Sequence, residues 1–344
     1  MRIFLYEFMT GGGMLERDRG ALPSSSLLAE GSAMLRTLAT DLCDLSHLQL
    51  WIQQDGRLGN IVSSGSCRVS KVSSSAEATD SYRRLVAEAD HTIIVAPEFD
   101  DILLNQCLVA ESISKQSLLS PDSEFIRIAA DKQVTADRLN AANVPVPRGS
   151  LMDALSDDIS FPIVVKPRDG AGSQDVRLIS NGDELSKLAR SYGAMRVEQL
   201  IDGVAASVAI LCGPKQHFAL PACRQNLSSD GRFCYFGGEL PLDGDLDQRA
   251  RDLAIRAIQA LPPTMGYVGV DLVMGDATDG TGDYVIEINP RLTTSYLGLR
   301  AAARTNLAAA MLSVAQGDAC EPSFSNEPVK FSANGGVDAL QRNR

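Results

Sequence analysis

The chain has 344 residues, 44% of them hydrophobic, enough to bury a large core spread over two or three domains. A formal charge of −11 repels nucleic acid and anionic membranes over long range, so neither is an expected partner, although a local basic pocket is compatible with it. No run approaches the roughly 20 apolar residues that span a bilayer, the opening residues lack an apolar segment of signal-peptide length, and a cytoplasmic location is expected. The seven cysteines form no CxxC pair and no metal spacing, and nothing sets one of the three histidines beside a thiol.

Arg2 to Phe8 is a short apolar run of the kind that fills a central parallel strand, and it stops at Thr10-Gly11-Gly12-Gly13. Gly11 and Gly12 either let backbone N–H groups approach a bound anion or simply make a tight turn. Pro23 to Leu42 carries helical apolar spacing, Leu48 to Ile52 and Arg68 to Val72 read as strands, Tyr82 to Ala89 as a helix, and His91 to Ala96 as another buried strand. Strands alternating with helices imply a doubly wound α/β sheet of about 115 residues. Glu7 and Glu98 end their strands at the carboxyl edge, where open parallel sheets bind ligands, so they either line one crevice and meet a substrate amine or are satisfied surface carboxylates.

After residue 118 the character changes. Lys132 opens a helical stretch to Asn140, and Val144-Pro-Val-Pro147 forces extended chain. Phe161 to Ser173 then holds a strand that ends at Lys166 and flows into a loop containing Gly172 and Ser173, with a return strand at Val176 to Ile179. A lysine beside flexible loop amides is a phosphate-handling arrangement, and no Walker pattern is present. Arg196 to Ile201 is a third strand, whose free backbone edge can pair with an adenine. Arg224 lies between two apolar strands, facing the cleft or an ordinary sheet edge. Leu246 to Ala260 reads as a structural amphipathic helix, Thr294 to Gln316 as an Ala-rich helix, and the sequence turns polar from 319, with Gly335 to Arg344 expected to be mobile.

The stretch Tyr284 to Arg291 reads as a strand ended by Pro290, with Glu287 and Asn289 on one face and Ile286 and Ile288 directed into the core. Tyr267 to Met274 precedes it across a Gly/Asp-rich loop, and pairing the two as a hairpin sets Asp271 beside Glu287. Asp271, Glu287 and Asn289 form an all-oxygen set suited to Mg²⁺ or Mn²⁺, or else a solvated strand face.

Lys132, Lys166 in Val-Val-Lys-Pro, Val-Glu-Gln-Leu-Ile-Asp-Gly at 197–203, Gly-Val-Asp-Leu-Val at 269–273 and Glu-Ile-Asn-Pro-Arg at 287–291, in this order, resemble the ATP-grasp superfamily of carboxylate–amine ligases over roughly residues 120 to 315. The resemblance implies a fold of mixed α/β and α+β character, with an N-terminal doubly wound pre-ATP-grasp domain at 1–118. The ATP-grasp domain would span 119–318, with a lid at about 160–203 and a metal-binding part at about 204–318, followed by a polar tail at 319–344. It implies ATP between two subdomains, with Lys132, Lys166 and the loop residues Gly172 and Ser173 on the phosphates. Gln199, Leu200 and Ile201 would face adenine, with Glu198 and Asp202 at that end, and Arg291 would hold the transferring phosphoryl group. Relative to the D-alanine ligase branch, Ala205 stands where a ribose-binding Glu is found and Gly269 where an Arg is found; Asp202 is the nearest substitute for the former. Residues 6–13, 28–35 and 96–103 narrow the resemblance to the tyramine–L-glutamate ligase group of methanofuran biosynthesis. That implies a small-molecule carboxylate, glutamate, joined to tyramine, tyrosine or another aromatic amine. A kinase or phosphotransferase on the same clamp, another amino-acid ligase, and a non-catalytic nucleotide-binding regulator are the alternatives, and a homodimer is compatible with each reading.

Overall fold

The computed structural model describes residues 1–16, 26–62, 65–156, 159–170, 175–188 and 194–339. A first, parallel sheet of β1 (Arg2–Glu7), β2 (Gln49–Asp55), β3 (Cys67–Val72) and β4 (His91–Val95) has the order β3-β2-β1-β4. Burial on both faces explains the continuous apolar run of β1: Ile3 and Leu5 pack with α1 (Ser26–Cys43) on one side, and Phe4 and Tyr6 pack with α2 (Ser75–Glu88) and α3 (Ile102–Ser114) on the other. Helix α2 starts seven residues before the expected Tyr82, because Ser74 Oγ accepts from Glu77 N while the Glu77 carboxylate takes Ser73 N. This Ser-x-x-Glu pair is a helix-start signal that was readable in the sequence.

Helices α4 (Ser123–Ala129) and α5 (Lys132–Ala141) lead to a second sheet. Its strands are β5 (Gly149–Leu151), β6 (Ile163–Pro167), β7 (Arg177–Ile179) and β8 (Met195–Gln199), antiparallel in the order β5-β8-β6-β7, with a small core around Val165 and Val197 and helix α6 (Gly182–Leu188) following β7. The expected free edge on 196–201 is corrected here. Strand β5 covers β8, and the Gln199 N–H donates to Arg148 O at 2.8 Å, so only the segment past Gln199 leaves the sheet.

The third sheet has eight strands. Strands β9 (Val204–Cys212), β10 (His217–Ala219), β11 (Cys223–Leu227), β12 (Tyr235–Leu240), β13 (Gly266–Met274), β14 (Tyr284–Asn289), β15 (Val329–Ser332) and β16 (Val337–Ala339) run β14-β13-β9-β11-β12-β15-β16, and β10 also pairs with β9. Helix α7 (Gly244–Gln259) packs on one face through Leu253 and Ala257, and α8 (Ser295–Ala302) and α9 (Leu307–Gln316) cover the other, so the single helix expected over 294–316 is two. The polar tail expected from 319 is also corrected: Val329 and Phe331 are buried because β15 alternates apolar and polar residues and adds an edge to β12. Residues 340–344 lie outside the described residues.

Two local features fix the sheets relative to one another. Gly203, at φ +157°, joins β8 to β9 where a Cβ would come within 2.4 Å of the Met274 carbonyl, so the joint between the second and third sheets accepts no side chain. Asp41 of α1 is buried and accepts from the Tyr296 hydroxyl and Arg300 Nε, both at 2.6 Å, while its backbone carbonyl takes Asn306 Nδ2, which ties the first domain to α8 and α9. Among the described residues no helix is long and apolar enough to cross a membrane.

Candidate active site

A cleft of about 240 Å³ runs between the second and third sheets and reaches β1, β4 and α1 of the first domain. The β13–β14 hairpin supplies its acidic floor. Asp271 lies directly opposite Glu287, and a register shift just beyond Asp271 places one extra residue, Ile286, on β14. This bulge corrects the simple alternation expected for the strand: Val285 and Ile288 enter the core, whereas Ile286 and Glu287 both line the cleft. The Ile286 carbonyl accepts from Lys166 Nζ at 3.1 Å.

Asp271 is held on both oxygens. Gln225 Nε2 donates to Oδ1 and Asn289 Nδ2 to Oδ2, each at 3.0 Å. Burial, with the Glu287 charge adding to it, pushes the Asp271 carboxyl up to about 7, against hydrogen bonds from Ser207 and Asn289 and the charge of Arg291. Two half-buried carboxylates and the buried Asn289 amide fit a hard divalent cation, which would offset both the desolvation and the Glu287 repulsion that raise Asp271. The set is lean, however: among the described residues no group of three or more His, Cys, Asp or Glu stands ready for a metal.

Cations flank that floor. The Asp131 carboxylate accepts from the N–H groups of Gln133 and Val134, which starts α5 at Lys132 and turns its side chain inward. Lys132 Nζ then sits 3.4 Å from Glu287 Oε2 and donates to the Gly170 carbonyl. Lys166 Nζ, nearly buried, is 2.6 Å from Glu198 Oε1, and Arg196 Nε holds the other Glu198 oxygen at 3.1 Å. Around this end Val164, Val176, Leu200, Ile201, Leu227, Leu272 and Ile286 give the cleft an apolar lining beside the chain segment past Gln199. At the other end Arg291 Nε donates to Glu98 Oε1 at 2.8 Å and a second guanidinium N–H to the Leu292 carbonyl, with the rest of the group facing the cleft.

Residues 129–295 match the family model described as ATP-grasp domain, and residues 48–124 match the pre ATP-grasp 3 domain. The chain carries an ATP-grasp domain preceded by a pre-ATP-grasp domain. Its fold is an ATP-grasp fold with a pre-ATP-grasp domain, and the superfamily uses ATP. The chain is 26% identical over 338 residues to a tyramine–L-glutamate ligase of Methanocaldococcus jannaschii, covering 97% of this chain and 92% of the relative. Among solved structures it resembles an ATP-grasp superfamily protein from Archaeoglobus fulgidus, with TM-score 0.72 and 22% identity over 96% of this chain and 92% of that one. It also resembles an L-amino acid ligase from Bacillus licheniformis, with TM-score 0.67 and 16% identity over 96% and 78% of the two chains.

The ATP-grasp cleft gathers Lys166, Glu198, Gln199, Leu200, Ile201, Asp271, Glu287, Asn289 and Arg291 along its walls, with Lys132 reaching in through Glu287. Gly172 and Ser173 lie outside the described residues. Asp202 is exposed and does not line the cleft, whereas Ala205 does.

The residues expected on the substrate side are placed differently. Gly11 and Gly12 are packed into the turn after β1 and do not line the cleft: the Gly11 carbonyl accepts from Gln53 Nε2, and a Cβ on Gly12 would meet Leu15 and Val72 at 2.9 Å. Glu7 lines the cleft, but its oxygens accept from Met9 N, Thr10 N and Thr10 Oγ1. Glu98 is committed to Arg291. Arg224 points away from the cleft toward Glu239, because on β11 it is the neighbouring Gln225 and Leu227 that face inward. Gln225, Ser207 and Glu30 went unread in the sequence. For Gln225 the signal was the period of two shared with Leu227, and for Glu30 it was a carboxylate on the inward stripe of α1 one position before Gly31.

Proposed function

We propose that the protein joins the carboxylate of L-glutamate to an aromatic amine such as tyramine, in methanofuran-type cofactor biosynthesis, as an ATP-dependent ligase that forms a C–N bond. The observation that carries this reading is one cleft whose lining combines apolar residues around Lys166, an acidic floor that Lys132 reaches through Glu287, and Arg291 with apolar first-domain walls. A clamp for the nucleotide alone would not need the last part.

Asp271, Glu287 and Asn289 would hold Mg²⁺ or Mn²⁺, which when bound offsets the phosphate charge. The glutamate carboxylate oxygen attacks the γ-phosphorus of ATP and ADP departs, giving an acyl phosphate. Lys132 and Lys166 fix the phosphates as point charges, and the Arg291 guanidinium faces the group being transferred. The neutral amine nitrogen then attacks the acyl carbon, the C–O bond breaks, and inorganic phosphate leaves with that oxygen and takes up the proton that the nitrogen loses. Positioning and charge do the work, so no nucleophilic side chain is required.

The test is ADP release across a panel of amines with ATP, Mg²⁺ and L-glutamate, each product followed by mass spectrometry. ADP formed only with glutamate plus one aromatic amine, and a product heavier by one glutamyl unit, is the expected result. ADP release that needs a hydroxyl acceptor in place of an amine would make the protein a kinase.

A further inference from the structure

Three carboxylates of the first domain approach the Arg291 end of the cleft, and their partners differ. Glu7 is saturated by Met9 N, Thr10 N and Thr10 Oγ1. Glu98 gives one oxygen to Arg291, and its other oxygen is buried outside the cleft lining. Glu30, on the second turn of α1, lines the cleft half-buried and makes no hydrogen bond or ion pair with any described residue. We propose that Glu30 anchors the ammonium group of the amine substrate, a primary amine with an apolar, ring-sized body, an inference that rests on the ligase reading above.

An unpaired, half-buried anion is costly to maintain and is stabilised most by a cation that arrives with its ligand. Burial raises the Glu30 carboxyl, opposed by the charge of Arg291, which shows how little in the protein itself supports the ionised form. The groups facing it are Arg291, already paired with Glu98, the saturated Glu7, and the phenol of Tyr235, whose hydroxyl accepts from Thr294 Oγ1. Met9, Leu27, Met34 and Tyr235 line the same end of the cleft and offer the apolar wall that a ring needs. The anchor is rigid, because a Cβ on the adjacent Gly31 would meet Glu7 Oε1 at 2.5 Å, and Asp41 locks the other end of the helix to α8. The bound ammonium gives up one proton to solvent before the neutral nitrogen attacks the acyl carbon, so Glu30 holds the amine ahead of that step and takes no part in the bond change.

The experiment measures KM for tyramine, L-glutamate and ATP in the wild type, Glu30→Gln and Glu30→Asp, with para-ethylphenol, the same body without the ammonium, as a competitive inhibitor. Glu30→Gln should raise the KM for tyramine roughly ten- to a hundredfold. It should leave the KM values for ATP and glutamate and the Ki of para-ethylphenol unchanged, and Glu30→Asp should recover part of the loss. The Ki control separates loss of the anchor from a displaced helix, which would weaken both ligands. An unaltered tyramine KM in Glu30→Gln, or a rise confined to glutamate, overturns the assignment while the ligase reading stands. A wild-type enzyme that turns over no amine overturns both.

Discussion

Glu287→Ala is expected to lower kcat by about a thousandfold while ATP binding weakens by no more than about tenfold. Glu287 stands opposite Asp271 in the hairpin, and without it Asp271 is the one carboxylate left in the set, since Asn289 carries no charge. In the proposed arrangement the nucleotide would also be held by the apolar lining around Val164, Leu200 and Ile201 and by Lys166, so binding should survive. Lys132 loses its ion pair but keeps the Gly170 carbonyl, which limits the structural disturbance. Single-turnover kinetics beside calorimetric titration with ATP separates the two quantities. Wild-type turnover in Glu287→Ala would contradict its place in the metal set.

Lys166→Met is expected to do the reverse and cost ATP affinity first, by about a hundredfold, because a nearly buried ammonium beside the phosphate path is a charge that water cannot replace. Methionine keeps the bulk of the stem. The variant should still fold, since Glu198 retains Arg196 Nε on its other oxygen, and Arg196 is itself held by Gln133 and the Pro147 carbonyl. Thermal unfolding close to that of the wild type, combined with lost ATP binding, is the expected pairing. Wild-type affinity would remove Lys166 from the nucleotide site.

What the sequence made legible follows from how local each signal is. The hairpin that sets Asp271 against Glu287 is written in two apolar runs and the turn between them, and the structure pairs these two residues directly. The inward turn of Lys132 needs only the cap at Asp131. The bulge at Ile286 was not legible, because one extra residue in a strand leaves no mark on its apolar pattern, yet it presents a backbone carbonyl to Lys166. Nor were the partners of Glu7 and Glu98. A carboxylate at a strand end looks the same in sequence whether it is open or spent, and the groups that occupy these two are a turn three residues on and an arginine 193 positions away. The same blindness hid Glu30, whose importance lies in the partner it lacks. Strand β15 was missed for another reason: a four-residue edge strand inside a polar segment acquires its meaning only from β12, nearly a hundred residues earlier.

The most direct measurement is the fate of a carboxylate oxygen. L-Glutamate labelled with ¹⁸O in its carboxylates, turned over with ATP and the amine that the panel selects, should yield inorganic phosphate carrying a single ¹⁸O per amide formed, because the bridging oxygen of an acyl phosphate leaves with phosphorus when the amine attacks carbon. Phosphate free of label, with amide still formed, would contradict the acyl-phosphate route and with it the assignment of this cleft as the site of that chemistry.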